Sequence, residues 1–184
     1  MQTIDGTELR LAPDETAYII NLTGAEAEKI LEATKETAQT KFETSVSCIG
    51  ASICQVGARD SQALLQACVK AVGEAQIPDG ALPQIHISGC PSSCGTHQTG
   101  PMGFRGGARM ADGKAQPAFV FYLGGNEVQG KETMGRELGT MFESEISSFL
   151  VNLGKEIAAR GLDFESYRTQ YPDGIEKAAA EYLA

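Results

Sequence analysis

The chain lacks several features that would direct it to particular partners. No apolar run in its 184 residues approaches the roughly 20 that a membrane-spanning helix needs, so no membrane is expected among its partners. Basic residues are scarce: 15 Lys and Arg against 24 Asp and Glu leave a net charge of -9 and a sequence pI of about 4.7. So acidic a chain is a poor match for the phosphates of nucleic acid, which reward clustered Lys and Arg. The same charge argues against docking an acidic electron carrier over most of the surface. The first residues, Met1-Gln2-Thr3-Ile4-Asp5-Gly6, hold no basic stretch followed by an apolar core, so no secretory signal is expected. Tryptophan is absent, and no low-complexity tract or internal repeat interrupts the sequence.

What is present suits a soluble globular protein: 42% hydrophobic and 21% charged residues. The length allows one good-sized domain, or a domain plus a fragment. A cytoplasmic location is the expectation. Five cysteines in that setting read as ligands or buried thiols rather than disulfides.

Four of the cysteines form two pairs. Cys48 and Cys54 are spaced C-x5-C, and Cys90 and Cys94 are spaced C-x3-C. Small residues (Gly50, Ala51, Ser52, Gly89, Ser92, Ser93, Gly95) crowd both loops and let the backbone approach something bulky bound by sulfur. Four thiolates suit an iron–sulfur cluster or a zinc ion. Zinc loops usually bring their paired cysteines within about two to four residues of each other, so the wider first gap favours the cluster. Spacing alone leaves zinc and unpaired thiols open. Ile49, Ile53, Val56 and Pro91 are candidates to shield a cluster from water.

Read in order, Glu8 to Pro13 is an extended segment and Ala17 to Leu22 a strand. Thr23 and Glu26 have capping-box spacing and open a helix to about Thr34, with Ala27, Ile30 and Leu31 as its apolar stripe. One strand and one helix are too little for a domain, so these first ~40 residues read as part of a larger sheet. Phe42 to Ser47 reads as a strand delivering Cys48. A helix capped by Asp60 or Ser61 follows to about Gly73, with Leu64, Leu65, Cys68, Ala71 and Val72 at helical spacing. Cys68 is therefore expected in the core. Gln84 to Ser88 reads as a strand delivering Cys90, with His86 facing away from Ile85 and Ile87. Gly95 to Lys114 reads as irregular, and Ala118 to Leu123 as a strand. The chain then offers a long helix over Gly135 to Arg160, ended by Gly161. A short helix follows from Asp163 through Tyr167, and a last one from Asp173 through Leu183. Strand–loop–helix units that put ligands at the carboxyl ends of strands are how open α/β sheets build sites. The expected fold is α/β (α+β): a mixed sheet flanked by helices, with the cysteines on loops at strand ends.

The paired cysteines, with the second pair in Ser88-Gly89-Cys90-Pro91-Ser92-Ser93-Cys94-Gly95, resemble the sirohaem and [4Fe-4S] domain of the assimilatory nitrite and sulfite reductase family. Phe119 to Gly125 is similar to the strand and glycine pair that follow there. Glu8 to Leu22, with Arg10, Leu11 and Pro13, resembles the segment ending that family's second ferredoxin-like half. The chain departs from the family pattern at Ser92, where Asn is usual, and at Glu15 and Thr16, where Gln and Asn are usual. The resemblance implies residues 1–40 as the end of a ferredoxin-like half-domain and 41–184 as the sirohaem/[4Fe-4S] domain. It implies Cys48, Cys54, Cys90 and Cys94 as cluster ligands, with Cys94 also the bridge to the sirohaem iron. It further implies a six-electron reduction of nitrite to ammonia or sulfite to sulfide. The electron donor would be a ferredoxin or a reductase subunit, and the N-terminal half of the same enzyme would be a partner. In that family the residues gripping the substrate anion lie in the N-terminal half, so this chain alone is expected to be inactive.

Sirohaem is ringed by carboxylates, which want paired basic donors. Arg10, Arg105 and Arg109 are the main candidates, with Lys114 and Arg59 behind them. Ser47 and Ser92, beside the motif cysteines, are further cofactor-contact candidates. His97, close after Cys94, is either a proton donor near the site or structural. The competing reading is a non-catalytic module: a [4Fe-4S] electron-transfer domain or a zinc-stabilised structural domain.

Overall fold

A computed structural model describes residues 4–12, 16–35 and 37–183. Pro13 and Glu15, named above, lie outside the described residues. The chain divides into two compact units, Met1–Gln39 and Thr40–Ala184.

In the first unit, β1 (Glu8–Leu11) and β2 (Ala17–Ile20) form an antiparallel pair, with Leu9 opposite Ile19 and Arg10 opposite Tyr18. Helix α1 (Gly24–Ala33) opens on the expected capping box: Glu26 accepts from the Thr23 backbone N–H and hydroxyl. No residue of α1 is buried, and Leu9, Leu11, Tyr18 and Leu31 are all more than half exposed.

The second unit is a five-stranded mixed sheet with strands in chain order: β3 (Val46–Ser47), β4 (Ile85–Ser88), β5 (Met102–Ala111), β6 (Lys114–Leu123) and β7 (Arg136–Phe142). The first three run parallel, and the last three form an antiparallel meander. Register sets Ile85 beside Met102, Ile87 beside Phe104, Phe104 beside Phe121, and Phe119 beside Met141, so one face of the sheet is continuously apolar. Helices α2 (Ser61–Glu74) and α3 (Glu143–Ala159) cover that face through Leu64, Cys68 and Val72 and through Ile146, Phe149, Leu150, Leu153 and Ile157. Phe121 stacks on Phe104, with centroids 5.1 Å apart, and meets the ring of Phe149 edge-on at 5.4 Å. Cys68 is fully buried there. Asp60 caps α2 by accepting from the Ala63 N–H at 3.0 Å, and Asp163 caps α4 (Phe164–Gln170) by accepting from Ser166 at 2.7 Å. The last helix, α5 (Gly174–Ala179), is shorter than expected. No helix among the described residues is long and apolar enough to cross a membrane.

Three expectations are corrected. Phe42 to Ser47 is not a strand throughout: Phe42–Thr44 is a 3-10 turn, and only Val46 and Ser47 pair. Thr40 and Glu43 exchange side chain–backbone hydrogen bonds in a capping box, and the Thr44 and Ser45 hydroxyls donate back to Lys41 and Phe42 carbonyls. Those local bonds outcompete the ladder. Gly95 to Lys114 is not irregular throughout, since Met102–Ala111 is a ten-residue strand. It turns back through Asp112-Gly113, both at positive φ (51° and 75°), which is the signature of a two-residue hairpin. Finally, the apolar run from Gly135 is split. Leu138, Met141 and Phe142 belong to β7, and the helix begins at Glu143. Gly135, Gly139 and Thr140 all disfavour helix. Gly139 takes φ 152°, next to a bulge where the register steps from Gly139 to Glu137.

Because Phe121 joins the sheet to α3, Phe121→Ala should lower the unfolding free energy by about 3–5 kcal/mol in urea titrations. Val128→Ala, at an exposed position, should change it by less than ~0.5 kcal/mol.

Candidate metal centre

Parallel strands cannot be joined by a tight turn; the chain must travel back along the sheet before the next strand starts. Between β3 and β4 that return is α2. Between β4 and β5 no helix intervenes, and residues 89–101 make the return themselves, on the side of the sheet opposite the helices. Both outgoing loops carry cysteines. Cys48 follows β3 directly, and Cys90 follows β4 after Gly89.

The two loops are knit together at Gly89. Its N–H donates to Cys48 Sγ at 3.1 Å, and its carbonyl accepts from Ala58 and Arg59 at 3.0 and 2.9 Å. A Cβ on Gly89 would come within 2.5 Å of the Arg59 carbonyl, so only glycine fits. Gly50 takes φ +71° against the start of α2, and the Cys54 N–H closes the first loop onto its carbonyl at 2.8 Å. Ser61 is buried with its Oγ 3.1 Å from Cys48 Sγ, and it donates to the Cys48 carbonyl at 2.8 Å. Sequence reading offered Ser61 only as a helix cap. Nothing in the sequence marks its turn toward Cys48, because Asp60 takes the cap.

All five cysteines are free thiols. Cys90 is buried, Cys48 and Cys54 are half-buried, and Cys94 is exposed. Hydrogen bonds from the Ser92 hydroxyl and backbone hold the Cys90 thiol below its ordinary pKa, which favours the thiolate that binds metal. Burial pushes Cys68 the other way, up to about 11. Cys68 thus stands apart from the four paired thiols. Among the described residues, no three His, Cys, Asp or Glu side chains are gathered closely enough to hold a metal ion. Ile49, Ile53 and Val56, expected as a shield, are instead exposed at 48, 68 and 73%. Pro91 is exposed as well.

The remaining candidates are dispersed. Ser47 is half-buried at the end of β3, and Ser92 is exposed beside Cys90. Arg10 lies on β1 in the first unit and pairs with Glu8 at 2.9 Å. Arg59 donates to the Gly107 carbonyl at 2.6 Å. Arg105 donates to the Tyr122 hydroxyl at 3.2 Å and lies 3.7 Å from Glu137. Arg109 sits over the Phe142 ring at 4.3 Å and donates to the Thr140 and Tyr182 carbonyls. Its guanidinium is therefore at β7, three strand spacings or roughly 14 Å across the sheet from β4. Lys114 is exposed at the hairpin tip.

His86 faces away from the helices, as expected, yet is only 2% exposed. Its Nδ1 lies 2.8 Å from Thr96 Oγ1. His97 is fully buried, with its ring 4.9 Å from that of Tyr122 and neither nitrogen hydrogen-bonded. Burial, and then the nearby Arg105 charge, push its pKa down from 6.5 to about 4. It is neutral at pH 7 and sealed from solvent, which suits a structural role better than a proton donor.

The comparisons agree with the architecture. No protein-family model matches the chain. A ferredoxin–nitrite reductase from Leptolyngbya laminosa is 32% identical over 120 residues, covering 61% of this chain and 22% of that protein. Another, from Synechococcus elongatus, is 27% identical over 131 residues, covering 64% of this chain and 24% of that protein. Over that part of its length, the chain is similar to ferredoxin–nitrite reductases. It spans about a quarter of the length of these curated relatives. The Mycobacterium tuberculosis NirA protein shares the fold, with a TM-score of 0.63 and 19% identity over 78% of this chain and 28% of that one. Both of these curated relatives are named as reductases.

Two outcomes test the site chemistry. Ser92→Ala should raise the Cys90 pKa and slow its alkylation near neutral pH, with Cys68 unreactive in both proteins; site-resolved mass spectrometry reads this directly. For His97, the folded pKa lies below the unfolded value, so the unfolded chain takes up the extra proton between them. Stability should be undiminished above pH 6.5 and decline as pH falls toward 4. His97→Leu should lack that part of the decline in urea titrations run across the same range.

Proposed function

We propose that this chain is the C-terminal part of a reductase that carries out the six-electron reduction of nitrite to ammonia or of sulfite to sulfide. Cys48, Cys54, Cys90 and Cys94 would hold a [4Fe-4S] cluster, and Cys94 would also serve as the link to sirohaem. The observation that carries the reading is the delivery of two pairs of free thiols at the ends of adjacent parallel strands, joined by the Gly89 N–H to the Cys48 sulfur. The kinship with ferredoxin–nitrite reductases supports it.

When bound, these groups supply the electron storage and substrate reduction that side chains cannot. The chain's own residues hold and tune. The Gly89 N–H donates to the Cys48 sulfur, Ser61 ties down the Cys48 carbonyl, and Ser92 favours thiolate at Cys90. Ser47, Ser92 and Arg10 are proposed to contact the cofactors. Arg105 and Arg109 are proposed with them, and reaching a macrocycle would mean exchanging the internal partners they have here for its carboxylates. The N-terminal part of the same enzyme supplies the substrate-gripping residues and covers the exposed Ile49, Ile53 and Val56. It also completes the sheet begun by β1 and β2, where Leu9, Leu11 and Tyr18 are exposed. The electron donor is a ferredoxin or a reductase subunit, and the enzyme works in the cytoplasm.

Anaerobic reconstitution with iron and sulfide, followed by absorption spectra and metal analysis, tests the reading. The expected result is cluster absorption with about four irons per chain. Loading should be lost on changing any of Cys48, Cys54, Cys90 or Cys94 to Ser and kept in Cys68→Ser. Stoichiometric zinc without iron, or unimpaired loading in those four variants, would overturn it. The chain alone should turn over neither nitrite nor sulfite.

A further inference from the structure

The chain has two histidines, both buried: His97 lies within the segment Gly95 to Gly100, and His86 packs against it. This is the stretch that carries the backbone from Cys94 back along the sheet to β5. At its start, the Gly95 N–H donates to the buried Ser88 hydroxyl at 3.1 Å. Gly95 lies so close over the Ile87 carbonyl that no Cβ fits. Cys94 stands between two non-glycine residues in the left-handed region, Ser93 at φ 60° and Thr96 at φ 48°, with the Thr96 N–H donating to the Ser93 carbonyl at 2.8 Å. A β-branched residue at positive φ is held there only by its surroundings.

The histidines supply much of that hold. His86 Nδ1 meets Thr96 Oγ1 at 2.8 Å, and Gly100 sits on the same ring, where a Cβ would come within 2.6 Å of Cγ. The His97 ring is plugged against Tyr122, and the His97 carbonyl presses on Gly103, again leaving no room for a Cβ. Tyr122 is itself fixed, donating to Glu137 at 2.9 Å and accepting from Arg105. Neither nitrogen of His97 has a hydrogen-bond partner. Shape and burial, not polarity, are what this ring contributes.

We propose that His97, seconded by His86, is a positioning residue for Cys94: its buried ring pins the Gly95–Gly100 segment to the sheet and so fixes the direction in which the Cys94 side chain leaves the loop. Its consequence for the cofactor rests on the reading of Cys94 as a cluster ligand; its geometry does not. A polar ring that is buried without partners is a poor choice for stability alone. A plug at this place holds the one motif cysteine that is solvent-exposed.

Amide hydrogen exchange on the full metal-free chain tests the positioning. His97→Ala should speed exchange of the 95–100 amides about tenfold or more while the β6 and α3 amides stay protected. His97→Phe, which restores a ring, should return them close to wild type. Thr96→Val, at an exposed position, removes only the His86 contact and should give a smaller rise at the same amides; it decides the matter if His97→Ala does not fold. Unchanged exchange at 95–100 in these variants, or a rise spread equally through β6 and α3, would overturn the proposal. After reconstitution, His97→Ala should lose iron to a chelator about tenfold faster than His97→Phe. If Cys94→Ser loads iron as the wild type does, the ligand reading fails, and the exchange result still stands or falls by itself.

Discussion

Much of this structure depends on a parallel crossover made without a helix. β4 and β5 lie side by side and point the same way, so the chain leaving β4 must return over the face of the sheet. A helix making that return would stand about 10 Å off the sheet and would fill the face with its own side chains. A bare extended segment can lie directly on the strands, provided the facing residues are small. Gly95, Gly100 and Gly103 meet that condition, and each has a carbonyl or a ring where a Cβ would be. The glycines of this region serve backbone contact more than flexibility. The result is a sheet with helices on one face and a thin layer of loop on the other, with Cys90 and Cys94 at the point where that loop turns.

Gly89 couples this crossover to the preceding loop. It spends its N–H on the Cys48 sulfur and its carbonyl on Ala58 and Arg59, while Arg59 reaches on to Gly107 in β5. Three neighbouring strands are thus tied together at the level where the sulfurs emerge. At Cys90, hydrogen bonds from Ser92 hold the thiol below its ordinary pKa, so this sulfur sits in surroundings that favour thiolate.

The mixed α/β architecture was more legible in the sequence than the bounds of its elements. Cysteine spacing, and the β-α-β rhythm that carries Cys48 and Cys90 on strand ends, could be read directly, as could the buried stripe through Cys68. β5 was missed because its glycines look like a loop when their partners are unknown. The carbonyls of His97 and Gly89 that exclude a side chain at Gly103 and Gly106 are non-local. The helix assigned over Gly135 to Arg160 failed for a different reason. Leu138, Met141 and Phe142 satisfy helical spacing with Ile146 and Phe149, and only Gly139 and Thr140 betray that the period changes from about 2 to 3.6 at Glu143. The roles of Ser61 and Tyr122 were not legible at all, since each depends on a partner 13 or more residues away.

The division of labour between the two faces bears on what a metal does for this domain. In small metal-dependent domains, the ligands carry the folding energy and the apo chain unfolds. Here the large side chains lie on the other side of the sheet: Phe104, Phe119, Phe121, Phe149 and their aliphatic neighbours are fully buried among strands and helices. Of the four motif cysteines, only Cys90 is buried, and none belongs to that core. Folding of the second unit is thus supported without the thiols. That frees the cysteine loops to carry features that would be costly in a marginal domain: left-handed Ser93 and Thr96, a buried histidine without hydrogen bonds, and apolar side chains held out to solvent. Strain and exposure of this kind persist where a well-packed scaffold supports them and where binding, rather than folding, gives them a use.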